Sequence, residues 1–571
     1  MRDRMPRATR ATRSGLAVLA AGLLALAAGC ASIPTSGAVN PGLADAPDQT
    51  VDLDVFARGP QDGANQQQIL DGFIDAAASP SGNYEVARQF LTDAFADEWT
   101  AADAGVTIDV LADRSFTPVA DDVIRAQAVP AANLAENGQY LESSSTAPLQ
   151  LEYRFEQVDG EWRISSAPDG VLIDETNFEL AYRQYTLAFF DPQFRFVVPD
   201  ARWFAGRESA QTSIVRALLA GPADWLAPGV ASAFPEDLTL DPATVPVSDG
   251  VAQVSLSGAA FDNLRTVQLM QYQLEQSLQG VRNVDRVQLS LNGVAQEAPD
   301  LADRPETAPR IDPRPVVSDG STFGYLSTAG DEVLPIEGLT DQVIGLQPTG
   351  AAVGPGGTTA AVLAPDGVWL ADADAGAVQL DPRSGLITPA FDVDGIVWSV
   401  PGNAPDELVW FPSEGGDGTQ IAVPWTASRI VALEVSRDGT RLVALLVDGG
   451  RTRVVAAAVQ RDENGLPIAL GGDALEVADT AAAAIDVAWL DAGTVGTLTQ
   501  SAGGEPRLAL QELGAPSEPG EAPAGAVQID GANSLRDLRV LTADGELVTR
   551  AGVGWQVQAR DVRFVATQST D

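Results

Sequence analysis

The sequence predicts a multidomain chain, with two small α+β domains followed by an all-β unit of propeller type. Three observations predict it. Between residues 61 and 296 the spacing of apolar residues changes twice from a helical to a two-residue period. From about residue 317 onward, short apolar runs alternate with Gly- and Asp-rich turns, with no convincing helical stripe. Within that stretch Val353-Gly354-Pro355-Gly356-Gly357-Thr358 and Val435-Ser436-Arg437-Asp438-Gly439-Thr440 lie 82 residues apart, or about two units the length of a four-stranded blade.

The N-terminus carries Arg2, Arg4, Arg7, Arg10 and Arg13 against a single acid, Asp3. An apolar run from Leu16 to Leu26 follows and ends in Ala27-Ala28-Gly29-Cys30. A basic start, an apolar stretch of about 15 residues and a small-residue site make a secretory signal, too short for a stable membrane span. The last four residues resemble the lipobox of bacterial lipoproteins, with Ala27 where Leu is commoner. The resemblance implies cleavage between Gly29 and Cys30, with Cys30 acylated as the new first residue. Cys30 is the chain's single cysteine. Residues 1–29 are therefore expected to be a signal peptide and 30–60, with Pro34, Pro41, Pro47 and Pro60, a flexible tether. The expected location is the extracytoplasmic face of the cell membrane, with the lipid as anchor.

Composition narrows the chemistry. The formal charge is −43, and loss of an Arg-rich leader makes the remainder more acidic still. Such a body repels phosphate backbones and anionic headgroups, so nucleic acid is excluded as a partner and membrane contact runs through the lipid. The chain has no His and no Lys. Catalysis by Ser–His–Asp or Cys–His, zinc and copper sites of the usual types, a Walker P-loop and a Schiff base are all excluded. No cofactor and no metal is expected.

Residues 61–178 read as helix first and strands after. Ile69, Leu70, Phe73, Ile74 and Ala77 form one helical stripe ended by Ser79-Pro80, and Ala87, Phe90, Leu91, Ala94 and Phe95 a second, with Trp99 one turn on. Leu149, Leu151, Tyr153 and Phe155 then alternate with polar residues up to an Asp159-Gly160 turn, beyond which Trp162 and Ile164 continue the hairpin. This last hairpin resembles that of small cone-shaped domains of the NTF2-like kind, in which the aromatics are here expected to be core.

Residues 181–296 form the second α+β unit. Tyr185, Leu187 and Phe189 alternate, Asp191-Pro192 turns, and Phe194, Phe196 and Val198 alternate again. A helix from about Ser209 stops at Gly221-Pro222. A strand through Ala252, Val254 and Leu256, a helix from Leu264 to Leu278, and a strand through Val287, Leu289 and Leu291 complete the unit. The ordered motifs Phe189-Phe190-Asp191, Val198-Pro199, Leu218-Leu219-Ala220-Gly221-Pro222, Ser232-Ala233-Phe234-Pro235 and Val254-Ser255-Leu256-Ser257 resemble the GerMN domain of secreted bacterial proteins. Residues 297–316, rich in Pro, Asp and Arg, read as a linker, and 317–571 as the propeller, with related strand starts at Val400 and Leu490.

Lipobox, tether, small α+β domain, GerMN-like domain and propeller, in that order, resemble LpqB-type lipoproteins of actinobacteria. The resemblance implies a non-enzymatic accessory or regulator of a two-component sensor kinase of the MtrA–MtrB type, with the kinase's extracytoplasmic domain as partner, in envelope and division control. It supplies no catalytic residues. The competing reading is a cell-wall glycan-binding protein or a carboxylate-dependent glycosidase, which needs two acids about 5–10 Å apart. Asp366 and Asp438 qualify only as acids beside Gly in turns, where Asp is expected for backbone reasons. Asp372-Ala373-Asp374 and Asp392-Val393-Asp394 are candidate calcium turns without EF-hand spacing.

Overall fold

Asp159 and Gly160 both adopt the left-handed backbone (φ 53° and 88°) that a two-residue hairpin turn requires. They join strands Leu149–Val158 and Glu161–Ser166 with Val158 opposite Glu161. In the computed structural model, which describes residues 58–570 apart from 102–103, 144, 146, 207–208, 259–262, 331 and 553, this hairpin belongs to a four-stranded antiparallel sheet with Ser115–Ala120 and Val123–Ala128. A second sheet runs in the order Tyr140–Glu142, Pro130–Leu134, Val106–Asp109, Val171–Asp174, its last pair parallel. Helix Gln66–Ala77, closed by a capping box between Asn65 and Gln68, buries Ile69, Leu70, Phe73 and Ile74, the stripe read from the sequence.

The second expected helix is broken in two, Ser81–Arg88 and Asp93–Glu98. Between them Phe90 and Leu91 join the sheet. The Ile164 amide donates to the Phe90 carbonyl at 2.9 Å, and the Thr92 amide to the Ile164 carbonyl at 2.9 Å. Backbone pairing with a distant strand overrides the local period, and the Thr92 hydroxyl restarts a helix by accepting the Phe95 amide. Phe73 packs edge-on against Trp99 and Tyr153, with ring centroids 5.1 and 6.3 Å away. These rings leave a cavity of only about 40 Å3, so the aromatics are core.

In the next unit, Tyr182–Phe190 and Val197–Ala205 pair antiparallel, with Val197 opposite Phe190. The Asp191 carboxylate closes the loop by accepting the amides of Arg195 and Phe196 at 2.6 and 2.7 Å. Helix Ala210–Ala220 ends at Gly221 (φ 98°), and Pro222 forbids its continuation. Strands Val251–Ser257 and Arg286–Leu291 lie parallel, joined by the crossover helix Leu264–Leu278. Residues 297–316 are largely irregular yet pinned. Glu306 bridges Arg195 and Val197 through its backbone, and Ile311 exchanges two hydrogen bonds with the Asn533 amide.

The remaining strands form six blades among the described residues. The first is built from both ends of the propeller segment: Val316–Ser318, Phe323–Leu326 and Val333–Pro335 take Phe564–Gln568 as their innermost strand. Five four-stranded blades follow, with innermost strands Gly350–Val353, Ala390–Phe391, Arg429–Val435, Ala483–Trp489 and Ala526–Asp530. The C-terminal strand also pairs parallel with Gly350–Val353, which closes the ring. The 82-residue repeat marks the turn after the innermost strand in blades two and four, two blades apart. Leu490 holds that place in blade five. Val400 does not: it follows the second strand of blade three, whose equivalent turn begins at Asp392. One helix, Thr340–Gly345, corrects the reading of a helix-free region. Gly338 precedes it and Gly345 is its last residue, and its six residues are too few to show a period.

Candidate functional site

The turns between first and second strands, and between third and fourth, lie on one face of a propeller, because consecutive strands of a blade run antiparallel. Three kinds of structure meet on this face: acid-closed turns, the docked N-terminal domains, and the axis.

The sequence's candidate acids are committed to the fold. Asp438 is buried and accepts from the Ser436 hydroxyl (2.6 Å), the Thr440 amide (2.9 Å) and the Thr440 hydroxyl (2.6 Å), and it pairs with buried Arg441. Burial pushes this carboxyl up, but Arg441 and the two hydroxyls hold it below its ordinary value. Asp392 accepts the amides of Asp394 and Ile396 and pairs with Arg461 at 2.7 Å, while Asp394 takes Arg195 at 2.8 Å. Arginines thus occupy the places a calcium ion would need. Asp372 caps its own turn through the amides of Asp374 and Ala375, and Asp366 accepts the Trp369 indole at 3.0 Å in an exposed turn. Among the described residues no group of three or more His, Cys, Asp or Glu side chains is arranged to hold a metal.

The docked face is centred on Trp203, which the sequence alone does not set apart from other strand aromatics. Its indole N–H donates to the Gly514 carbonyl at 3.0 Å, in the last turn of blade five. Its ring sits 5.0 Å from Phe178 and 6.1 Å from Tyr140, both in the N-terminal domain. Beside it, Arg202 grips Asp200 with two hydrogen bonds and donates to the Asn137 carbonyl at 2.8 Å. A continuous apolar cluster joins Trp225 and Leu226 to Val443, Leu445, Val454 and Trp489 of blades four and five. Gly229 lies so close to blade four that a Cβ there would meet the Thr440 carbonyl at 2.9 Å. All described residues accordingly form one compact body.

At the axis stand Glu434, Arg437, Asp486 and Asp530. Burial pushes Asp486 up to about 7 and Asp530 up to about 6, the latter against the pull of Arg539, and raises Glu434 well above its ordinary value. Arg437, buried and facing Asp530, Asp491, Glu434 and Asp537, is lowered by the same desolvation. The neighbouring cavity, about 30 Å3, has room for about one water. The sequence did carry a signal for these acids: each of Glu434 and Asp486 is a lone charge inside an otherwise apolar run, Val431-Ala432-Leu433-Glu434-Val435 and Ile485-Asp486-Val487-Ala488-Trp489.

Cys30 lies outside the described residues, as does the expected tether up to residue 57. Among the described residues no helix is long and apolar enough to cross a membrane.

Comparison with known proteins covers all three parts of this body. Residues 59–179 match the model of the lipoprotein LpqB N-terminal domain, 186–297 that of a sporulation and spore germination domain, and 324–564 that of the lipoprotein LpqB β-propeller domain. A protein named lipoprotein LpqB from Thermobifida fusca is 31% identical over 310 residues, covering 52% of this chain and 49% of the relative. One from Mycolicibacterium smegmatis is 27% identical over 467 residues, covering 74% and 77%. One from Cutibacterium acnes is 30% identical over 291 residues, covering 50% and 48%. The matched region thus spans about half the length of the first and third relatives and about three quarters of the second. Matched by LpqB models on either side of a spore-germination module, and similar to LpqB proteins of several actinobacteria, the chain belongs to the LpqB family of lipoproteins.

Proposed function

We propose that this protein is a lipid-anchored accessory protein on the extracytoplasmic face of the cell membrane. In this reading it acts without enzymatic chemistry on the extracytoplasmic domain of a sensor kinase of the MtrA–MtrB type. The observation that carries the reading is the joining of three modules into one body through Trp203. A fixed body on a lipidated tether presents a surface at a set reach from the membrane, which is what a protein that biases a neighbouring receptor requires. The use of Asp438, Asp392 and Asp394 as turn closures and arginine partners supports it, since their oxygens are engaged by the fold and not presented to a substrate. The same reading places the lipid on Cys30, the tether at 30–60, the modules at 61–178 and 181–296, the linker at 297–316 and the propeller at 317–571.

The test is in-cell photocrosslinking of the intact, anchored protein from exposed propeller positions such as Asp366 and Ile468, with identification of what is captured. Capture of a sensor kinase through its extracytoplasmic segment supports the reading and names the contacting blade. Capture of wall glycan with no protein partner overturns it in favour of glycan binding or hydrolysis.

A further inference from the structure

Apart from the parallel pair Phe564–Gln568 and Gly350–Val353, the innermost strands of neighbouring blades form no ladder with one another among the described residues, so some of their backbone amides have no ladder partner, and a buried unpaired amide is costly. Three side chains solve this in succession. Glu434 of blade four accepts the Trp489 amide of blade five at 2.9 Å. Asp486 of blade five accepts the Ile529 amide of blade six at 2.9 Å. Gln528 of blade six accepts the amide of Val565, on the innermost strand of blade one, at 3.0 Å and donates back to the Val565 carbonyl at 2.7 Å.

Gln528 shows that a neutral side-chain acceptor can close such a seam. A protonated carboxyl is nearly isosteric with that amide and offers the same carbonyl. We propose that Glu434 and Asp486 are proton-operated clasps, holding seams four–five and five–six shut when protonated and loosening them when ionised, while the Gln528 seam responds to no pH change.

The surroundings set the direction. Glu434 and Asp486 are only part-exposed, and desolvation is the largest influence on each carboxyl. Glu434 faces Asp486 and Asp530, which oppose its ionisation, and Arg437, which favours it. Asp486 faces Asp530, and the amides of Ile529 and Val487 are its compensation. Asp530 is itself held by Arg539 at 3.4 Å and faces Arg437. The carboxyls outnumber the cations that face them, so desolvation and mutual repulsion both favour the protonated clasp. An opened seam admits water and releases that penalty, so opening grows as pH rises between the ordinary carboxyl range and the raised value in the closed seam. The loosened seam lies under the docked domains, because Val487 and Trp489 belong to the cluster that receives Trp225 and Leu226. Protons outside the membrane would thereby tune how firmly the propeller holds the GerMN-like domain.

Hydrogen exchange on the full-length protein tests this, with protection corrected for the intrinsic pH dependence of exchange. Between about pH 5 and about pH 8, protection of the Trp489 and Ile529 amides is expected to fall at least about tenfold while that of Val565 holds steady. Ile529 should level off near the value of Asp486, about 7. The double variant Glu434→Gln, Asp486→Asn should lose the response, and Asp366→Asn, an exposed acid, should keep it, which separates the clasps from general self-repulsion of an acidic protein. Equal pH behaviour of all three amides in the unmodified protein, or a pH response that survives in the double variant, overturns the proposal.

Discussion

The indole N–H of Trp203 meets the carbonyl of Gly514 at 3.0 Å, across 311 residues of chain. That single side chain belongs to the GerMN-like unit, packs on Phe178 and Tyr140 of the N-terminal domain, and bonds to the propeller. Removal of a buried aromatic of this size costs about 3–5 kcal/mol, whereas loss of the hydrogen bond alone costs about 1 kcal/mol. Trp203→Ala is therefore expected to split thermal unfolding into more than one transition, with the N-terminal domain released first, and Trp203→Phe to keep a single transition at slightly lower temperature. Differential scanning calorimetry reads both. A single, undisplaced transition for Trp203→Ala would remove Trp203 from its place at the junction.

Gly229 offers a subtler test of the same junction. A methyl group there meets the Thr440 carbonyl at 2.9 Å and the Ala458 Cβ at 3.0 Å, so Gly229→Ala forces the domain and blade four apart at a cost of about 1–3 kcal/mol. Gly554→Ala, where nothing lies within 4 Å, is the matched control. Limited proteolysis is expected to cut the linker around residues 297–316 faster in the first variant and at the original rate in the second.

Much of this fold was legible in the sequence because periodicity reports burial directly. The stripe from Ile69 to Ala77, the hairpin around Asp159-Gly160 and the Gly221-Pro222 stop all appear where their local chemistry puts them. The helix through Phe90 and Leu91 does not, since the strand containing Ile164, far along the chain, captured those two backbone groups. The same limit hid the junction and the axis. Nothing in the alternation of Tyr182 to Ala205 distinguishes Trp203, whose partner is a turn carbonyl in another module. The six blades were illegible as a count because the first is assembled from Val316–Ser318 and Phe564–Gln568, at opposite ends of the propeller segment.

Asp438 and Asp366 separate a structural acid from a catalytic one. Asp438→Asn leaves the buried Arg441 charge without its counterion, which costs about 3–5 kcal/mol. Asp366→Asn sits in an exposed turn and should change stability by less than about 0.5 kcal/mol. Urea unfolding is expected to rank them so. Loss of a measurable glycan-hydrolase activity in Asp366→Asn, with stability intact, would instead restore the glycosidase reading.

Cys30 carries the membrane attachment in the proposed reading. Cys30→Ser should leave the protein without lipid, so that it leaves the membrane fraction when cells are broken and no longer takes up a metabolically supplied fatty-acid label. An anchored, labelled Cys30→Ser protein would place the attachment elsewhere.

Stability should fall away on both sides of a moderately acid optimum, because two sets of desolvated acids titrate in opposite senses. Asp438 is held below its ordinary value by Arg441 and the hydroxyls of Ser436 and Thr440, against burial. Its contribution is full above the unfolded carboxyl range and is lost as pH falls through the lower, folded value. Asp486 and Asp530 are raised by burial, to about 7 and about 6. Their contributions are full below the ordinary carboxyl range and decline as pH rises toward those folded values. A tenfold difference in proton affinity between folded and unfolded chains is worth about 1.4 kcal/mol, so the two raised acids together withdraw a few kcal/mol between about pH 4 and about pH 7. Urea midpoints measured across that range should therefore decrease with rising pH. Asp486→Asn should flatten the upper part of the curve, and Asp438→Asn should remove the acid limb. A midpoint that rises steadily from about pH 4 to about pH 7 would show that the axial carboxyls are already ionised in the folded protein.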